Sequence, residues 1–296
     1  MRASVIPSRA RDLLSRLHAV LQLLFLNSRV SRLSVVLAVS LHASSVQAQP
    51  VSLQLRPRVG DTLRMEMDQD IEMWGTIRIA GIDSTRATKT TFRVITHALV
   101  LKSDMSGTTL SAVADSVTVS TNDERGAGAL SDARRRLIGR AVQLWMAPDG
   151  ETKLVSAEAG ADPGVGQLFA QMPATLPRET VKVGASWTKE MNVPATGMSG
   201  PGGVLRTKFR LDSLTNDGHL AWISIAGVLK PPKGFRGDGN GGTVTGALVV
   251  DRRRGWLVDA RTTTAMRSVL GQPSAAGREP MYFRMRVTQR VRVIDQ

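Results

Sequence analysis

From Leu53 onward, apolar and polar residues alternate with a period of two, the pattern of strands that turn one face to a core and the other to water. Near the carboxyl end, Phe283, Met285, Val287, Val291 and Val293 alternate with Arg284, Arg286, Thr288, Arg290 and Arg292, and Gln289 is the one polar intruder on the apolar side. Leu63, Met65 and Met67 alternate in the same way with Arg64, Glu66 and Asp68, and Leu205, Thr207, Phe209 and Leu211 with Arg206, Lys208, Arg210 and Asp212. Strands with one wet face belong to antiparallel sheets. Turn residues separate the apolar runs at Asp104-Met105-Ser106-Gly107, Pro148-Asp149-Gly150, Asn216-Asp217-Gly218 and Asp251 to Gly255, as in hairpins.

Helix signals are few. Ser131 is placed to cap a short helix through about Ile138, and Asp162-Pro163 opens a second one to about Met172. Ala195 to Gly203 and Gly234 to Gly242 read as loops. The expected fold is mainly β: a single curved antiparallel sheet or half-barrel of about ten strands with one or two short helices, the alternative being a two-sheet sandwich of duplicated halves. Trp187 and Trp222, each on an apolar run, are expected core anchors, whereas Trp256 directly follows a turn glycine.

Val59-Gly60-Asp61-Thr62-Leu63 parallels Val183-Gly184-Ala185-Ser186-Trp187, and after each come hairpins turning at Gly107 or Gly218 and then at Gly150 or Gly255. A single domain over 49–296 with two pseudo-repeats, 49–158 and 176–296, is one reading. The other is that any antiparallel chain repeats strand and turn signals.

The amino terminus predicts export. Arg29 and Arg32 precede the apolar run Leu33 to Leu41, and small and polar residues lead to Val46-Gln47-Ala48, the order of a secretory signal cleaved after Ala48. The run falls short of the ~20 apolar residues that span a bilayer, so no transmembrane segment is expected after cleavage. The leader 1–48 is long, with a second apolar stretch from Ala19 to Leu26 and arginines at Arg2, Arg9, Arg11 and Arg16; a start at Val30 or an extended basic n-region accounts for it equally well, and a transit peptide is the third reading. With no cysteine there is neither a lipobox thiol nor a disulfide framework, so a hydrophobic core must stabilise a periplasmic or secreted protein.

Net charge is +14, and the leader holds six Arg and one Asp, so +9 stays with the remainder. A basic balance usually invites nucleic acid, but export and an aromatic content of 4% argue against it. An anionic envelope component, a lipid head group or plain solvation of the arginines remains. Arg284, Arg286, Arg290 and Arg292, on one strand face, form the candidate surface for an anionic partner.

Leu176 to Trp187, the Ala147-Pro148-Asp149-Gly150 hairpin and the Gly246 to Asp259 segment resemble an uncharacterised family of secreted bacterial β-proteins, a domain of unknown function, over most of the chain after the leader. Ala185 stands where that pattern has an acidic residue. The resemblance implies a secreted β fold and carries no functional residue with it.

Catalytic chemistry is thinly represented. His97 and His219 are the two histidines after the leader, too few for a zinc site that needs around four ligands. Gly197-Met198-Ser199-Gly200-Pro201 lacks the second glycine of a nucleophile elbow, and Gly237-x-Gly239-x-x-Gly242 precedes a strand where a dinucleotide site needs a helix. Asp238 and Asn240 lack the other ligands of a calcium loop. Glu66, Asp68, Asp70 and Glu72, at spacing two, share one strand face, suited to a carboxylate hydrolase or, more simply, to a solvated surface. No catalytic, cofactor or metal residue is therefore assigned, and no enzyme is expected. A module for an apolar or lipid ligand in the cell envelope ranks first, on the analogy of half-barrel lipoprotein carriers. A structural or interaction protein contacting anionic partners is second, and the hydrolase third.

Overall fold

The computed structural model describes residues 49–79, 82–157, 175–193, 202–231, 241–270 and 281–294. The leader 1–48, the expected helix from Asp162 to Met172, the Ser199 loop and the Gly237 and Gly239 positions lie outside them.

Long alternating strands satisfy their backbone groups by pairing with neighbours, and consecutive hairpins supply most of the pairs. The strands are β1 (Thr62–Ile79), β2 (Ile82–Ser103), β3 (Thr108–Thr121), β4 (Ala141–Met146), β5 (Thr152–Ala157), β6 (Ser186–Val193), β7 (Gly203–Thr215), β8 (Leu220–Lys230), β9 (Gly241–Asp251), β10 (Trp256–Leu270) and β11 (Met281–Val293). They form one antiparallel sheet in the order β5-β4-β3-β2-β1-β11-β10-β9-β8-β7-β6. The sandwich alternative is thus replaced by a single sheet, in which the first five strands and the last six meet at β1 and β11. All four expected hairpin turns are present, and Asn216, Asp217 and Gly218 take the positive φ that their residue types tolerate.

The sheet curls. In a flat sheet with strands ~4.8 Å apart, β4 and β6 would lie about 40 Å from each other. Yet Asp149, in the turn after β4, sits 3.5 Å from Lys189 of edge strand β6. Residues 51–56 cross this end as a strap: Val51 pairs with Val181, Leu55 N donates to Pro148 O, and Arg56 N donates to Gly255 O. The strap joins the β4–β5 turn to the β9–β10 turn across the inside of the curl. Gly255 is required there, since at φ +64 any Cβ would collide with the Arg56 carbonyl. At Gly246, on the inner face of β9, a Cβ would run into the Arg261 carbonyl of β10, so this glycine lets the strands bend closely.

Burial follows the strap. Leu53 is completely buried and packs with Leu176, Leu211, Ala221, Ile223 and Val250. A second cluster joins Leu63, Val100, Leu110, Met146 and Trp256, linked to the strap by Leu55. Trp187 stacks on Phe209 at 5.9 Å, beside the first cluster, and its Nε1 donates to Thr175 O. The expectation for Trp222 is corrected. Its side of β8 is the outer face, leaving it 43% exposed, while Trp256 is 6% exposed. Local alternation marks two faces of β8 but does not say that Ala221, Ile223 and Ile225 take the inner one.

The helix α1 (Glu124–Leu137) begins a full two turns before Ser131. Asp123 stands at its N-cap position without a side-chain cap bond, Glu124 lies in the first turn, and Arg134, Arg135 and Arg136 in the last, all favourable to the helix dipole. Gly126 and Gly128, poor helix formers, conceal these turns in the sequence. The two loops also end earlier than expected, because Gly203 opens β7 and Gly241 opens β9. The turns entering β1 and β6 match: Gly60 and Gly184 both have φ +87, and Gly60 N donates to Val100 O as Gly184 N does to Leu211 O.

Candidate functional site

Strand pleating separates two surfaces. On the outer face, β1 contributes Glu66, Asp68, Asp70 and Glu72, confirming that spacing two aligns them. Their partners on β11 are Arg292, Arg290, Thr288 and Arg286. The candidate arginine face thus lies against the carboxylate row, which changes the meaning of both.

Glu66 is the centre of that contact and is only 3% exposed, in contrast to the solvated face expected for it. Arg292 Nε and Nη2 donate to Glu66 Oε2 at 2.9 and 2.6 Å, and Arg93 of β2 pairs with Oε1. Burial alone would raise its pKa, but hydrogen bonds and charge from Arg292 and Arg93 outweigh it and hold the carboxyl below the usual range. Arg290 donates to Asp259 of β10 at 3.2 Å. Arg284 stands opposite Trp74 and Arg267, and Arg286 opposite Glu72 and Ala265. Asp70 accepts from Thr91 Oγ1 at 2.7 Å, and Glu72 is 3.9 Å from Lys89. These carboxylates are occupied by cations and hydroxyls. A general acid needs a raised pKa, and Glu66 has the opposite shift.

Glu66→Gln should cost about 1.5 kcal/mol, the low end for charge-assisted hydrogen bonds, because its arginine partners reach solvent. The wild-type pKa is depressed on folding, so this stabilisation is present above the unfolded value of 4.5 and fades as pH falls through the lower folded value. Thermal melts of the two proteins should therefore differ at pH 7 and converge in acid.

The inner face divides along the strands. At the strap end it is core. β4 and β5 have six residues each, whereas β1, β2, β10 and β11 run 18, 22, 15 and 13. The long central strands consequently extend past their short neighbours. On this extension Ile71, Met73, Phe92, Met266, Phe283 and Met285 point to the inner side at half burial, and none belongs to a buried cluster of the described residues. Register puts Met73 opposite Met285 and Ile71 opposite Val287. Gln69 lies between Gln289 and Phe92, so the intruding Gln289 meets a second amide across the strands. Gln289 Nε2 contacts Met67 Sδ at 3.1 Å.

His97 Nδ1 lies 2.5 Å from Asp115 Oδ1, at the bulge where β3 shifts register. His219 lies in the β7–β8 turn, its N–H donating to Asn216 O. The described residues contain no group of three or more His, Cys, Asp and Glu suited to a metal. Their one helix is not long and apolar enough to cross a membrane.

No protein-family model matches the chain, and neither does any curated protein sequence. Among solved structures, the chain is similar at 9% identity and a TM-score of 0.44 to one described as "lipid-protein interactions in lipovitellin", covering 80% of this chain and 25% of that one. The chain thus spans about a quarter of that protein's length. It is also similar to an outer membrane lipoprotein-sorting protein domain from Vibrio parahaemolyticus (11% identity, TM-score 0.16, 77% and 83% covered). A third is the translocator domain of the autotransporter NalP from Neisseria meningitidis (10%, 0.17, 96% and 95%). None reaches a TM-score of 0.5, and none bears on ligand or activity here.

Proposed function

We propose that this protein is an exported, non-enzymatic module that holds an apolar or lipid ligand against the inner face of its long central strands. The observation that carries this reading is the half-buried apolar surface of Ile71, Met73, Phe92, Met266, Phe283 and Met285, outside every buried cluster of the described residues. Apolar surface of this extent is costly to leave wet and commonly marks a binding site. Three of the six side chains are methionine, whose flexible thioether adapts to ligands of varied shape.

A fluorescent long-chain fatty acid should bind saturably to the purified protein. Met73→Asp combined with Met285→Asp places carboxylates at directly opposed inner positions and should weaken binding tenfold or more with little change in melting temperature. Thr76→Asp on the outer face should leave binding unchanged. The reading fails if no saturable binding occurs, or if the inner pair has no effect.

A further inference from the structure

The sheet's strap end carries a second concavity, away from the apolar extension and independent of that reading. Its volume is about 650 Å³, and it lies where the start of β1, the end of β11 and the β9–β10 turn converge. Four arginines line it: Arg58 before β1, Arg64 on β1, and Arg253 and Arg254 in the turn. The single acidic residue in the lining is Asp61.

The nearby acids are committed to backbone. Asp61 Oδ2 accepts from Arg58 N at 3.1 Å, closing the turn into β1. Asp251 Oδ1 accepts from the N–H groups of Arg253 and Arg254 at 2.9 and 3.0 Å, and its other oxygen is 3.8 Å from Arg254 Nε. Arg64 Nε is buried and meets no hydrogen-bond acceptor among the described residues. A buried charged donor without an acceptor is costly, and Arg64 is one of the residues that line the cavity.

We propose that this cavity binds a phosphate-bearing ligand. Guanidinium groups present paired N–H donors at the spacing of phosphate oxygens, and several converging on one space favour a multiply charged oxyanion over a lone carboxylate. The volume falls within the range of small-ligand sites, about 300–1,000 Å³. Val293 and Ile294, half-buried in the lining, give an apolar wall for the portion of an ester beyond the phosphate. A free phosphate compound and a phospholipid head group share this chemistry.

The test is calorimetric titration of the purified protein at low ionic strength with inorganic phosphate, pyrophosphate and glycerol 3-phosphate, and separately with vesicles of phosphatidylglycerol or phosphatidylcholine. Saturable binding of a soluble phosphate identifies a free-phosphate site, and saturation by phosphatidylglycerol vesicles alone identifies a head-group site. In either case Arg64→Gln with Arg253→Gln should weaken binding tenfold or more. Arg206→Gln with Arg210→Gln, an equal charge change on β7, should weaken it less than twofold. Should Arg64→Gln prevent folding, Arg58→Gln with Arg253→Gln, both exposed turn positions, serves the same comparison. Absence of saturable binding to every probe, or equal weakening by the β7 pair, overturns the proposal.

Discussion

Trp256→Ala should destabilise the protein by about 3–5 kcal/mol, the usual cost of removing a large aromatic side chain from a core, and lower its thermal midpoint by several degrees. Trp256 is 6% exposed and packs with Leu63, Val100, Leu110 and Met146, which come from β1, β2, β3 and β4. It follows the Gly255 turn, so the same cavity would loosen the strap's attachment at Arg56. Trp256→Phe should cost much less. Its indole Nε1 is buried without an acceptor among the described residues, so the lost N–H takes no hydrogen bond with it. Trp222→Ala provides the contrast and should stay within about 1 kcal/mol, because it removes a half-exposed ring and one bond to Thr215 Oγ1. Chemical denaturation of the three variants decides the matter. Equal losses at Trp222 and Trp256 would mean that the faces of β8 and β10 are misassigned.

Asp149→Ala should cost about 3 kcal/mol, at the lower limit for breaking a buried ion pair since one of its partners lies largely in solvent. Asp149 is 5% exposed at its side chain. It receives Arg178 Nε at 3.1 Å and faces Lys189 at 3.5 Å, these partners being 77% and 27% exposed. Its carbonyl accepts from Thr175 N and Leu176 N, so the residue ties the β4–β5 turn, the segment entering β6 and β6 itself into one corner. The loss should be felt at the edges of the sheet before its centre, with faster hydrogen exchange in β5 and β6 than in β1 and β11. Burial alone would raise the Asp149 pKa, but the Arg178 and Glu151 N–H hydrogen bonds and the Lys189 charge hold it below the unfolded value of 3.8. Its stabilisation is thus present above that unfolded value and is lost as pH falls through the folded one. A melting temperature for Asp149→Ala equal to wild type at pH 7 would show that the corner holds without the acid.

Individual strands were legible from alternation because pleating imposes a strict period of two, and the hairpins from glycine, asparagine and aspartate at positions that need their backbone freedom. β11 and the β7–β8 turn are examples. Alternation also placed Glu66, Asp68, Asp70 and Glu72 on one face, and Arg284, Arg286, Arg290 and Arg292 on one face of another strand. It could not place the two rows side by side. Residues 66 and 292 are 226 positions apart, and their meeting depends on β11 returning to pair with β1. An apparently free cationic stripe therefore became, at Arg292 and Arg290, one side of ion pairs with Glu66 and Asp259.

By itself the sequence determined a predominantly antiparallel β chain, its hairpins and the two-faced character of its strands, all of which arise within a few residues of backbone. Only the tertiary structure decided that the strands form one curled sheet, that Trp256 rather than Trp222 lies inside, and that Glu66 is buried under arginines. It also decided where inner-face apolar residues become core and where they stay half-exposed. Each of these depends on strand neighbours and on a strap crossing from Val51 to Arg56. Such contacts join distant parts of the chain, where a local pattern carries no information on which face or partner will be met.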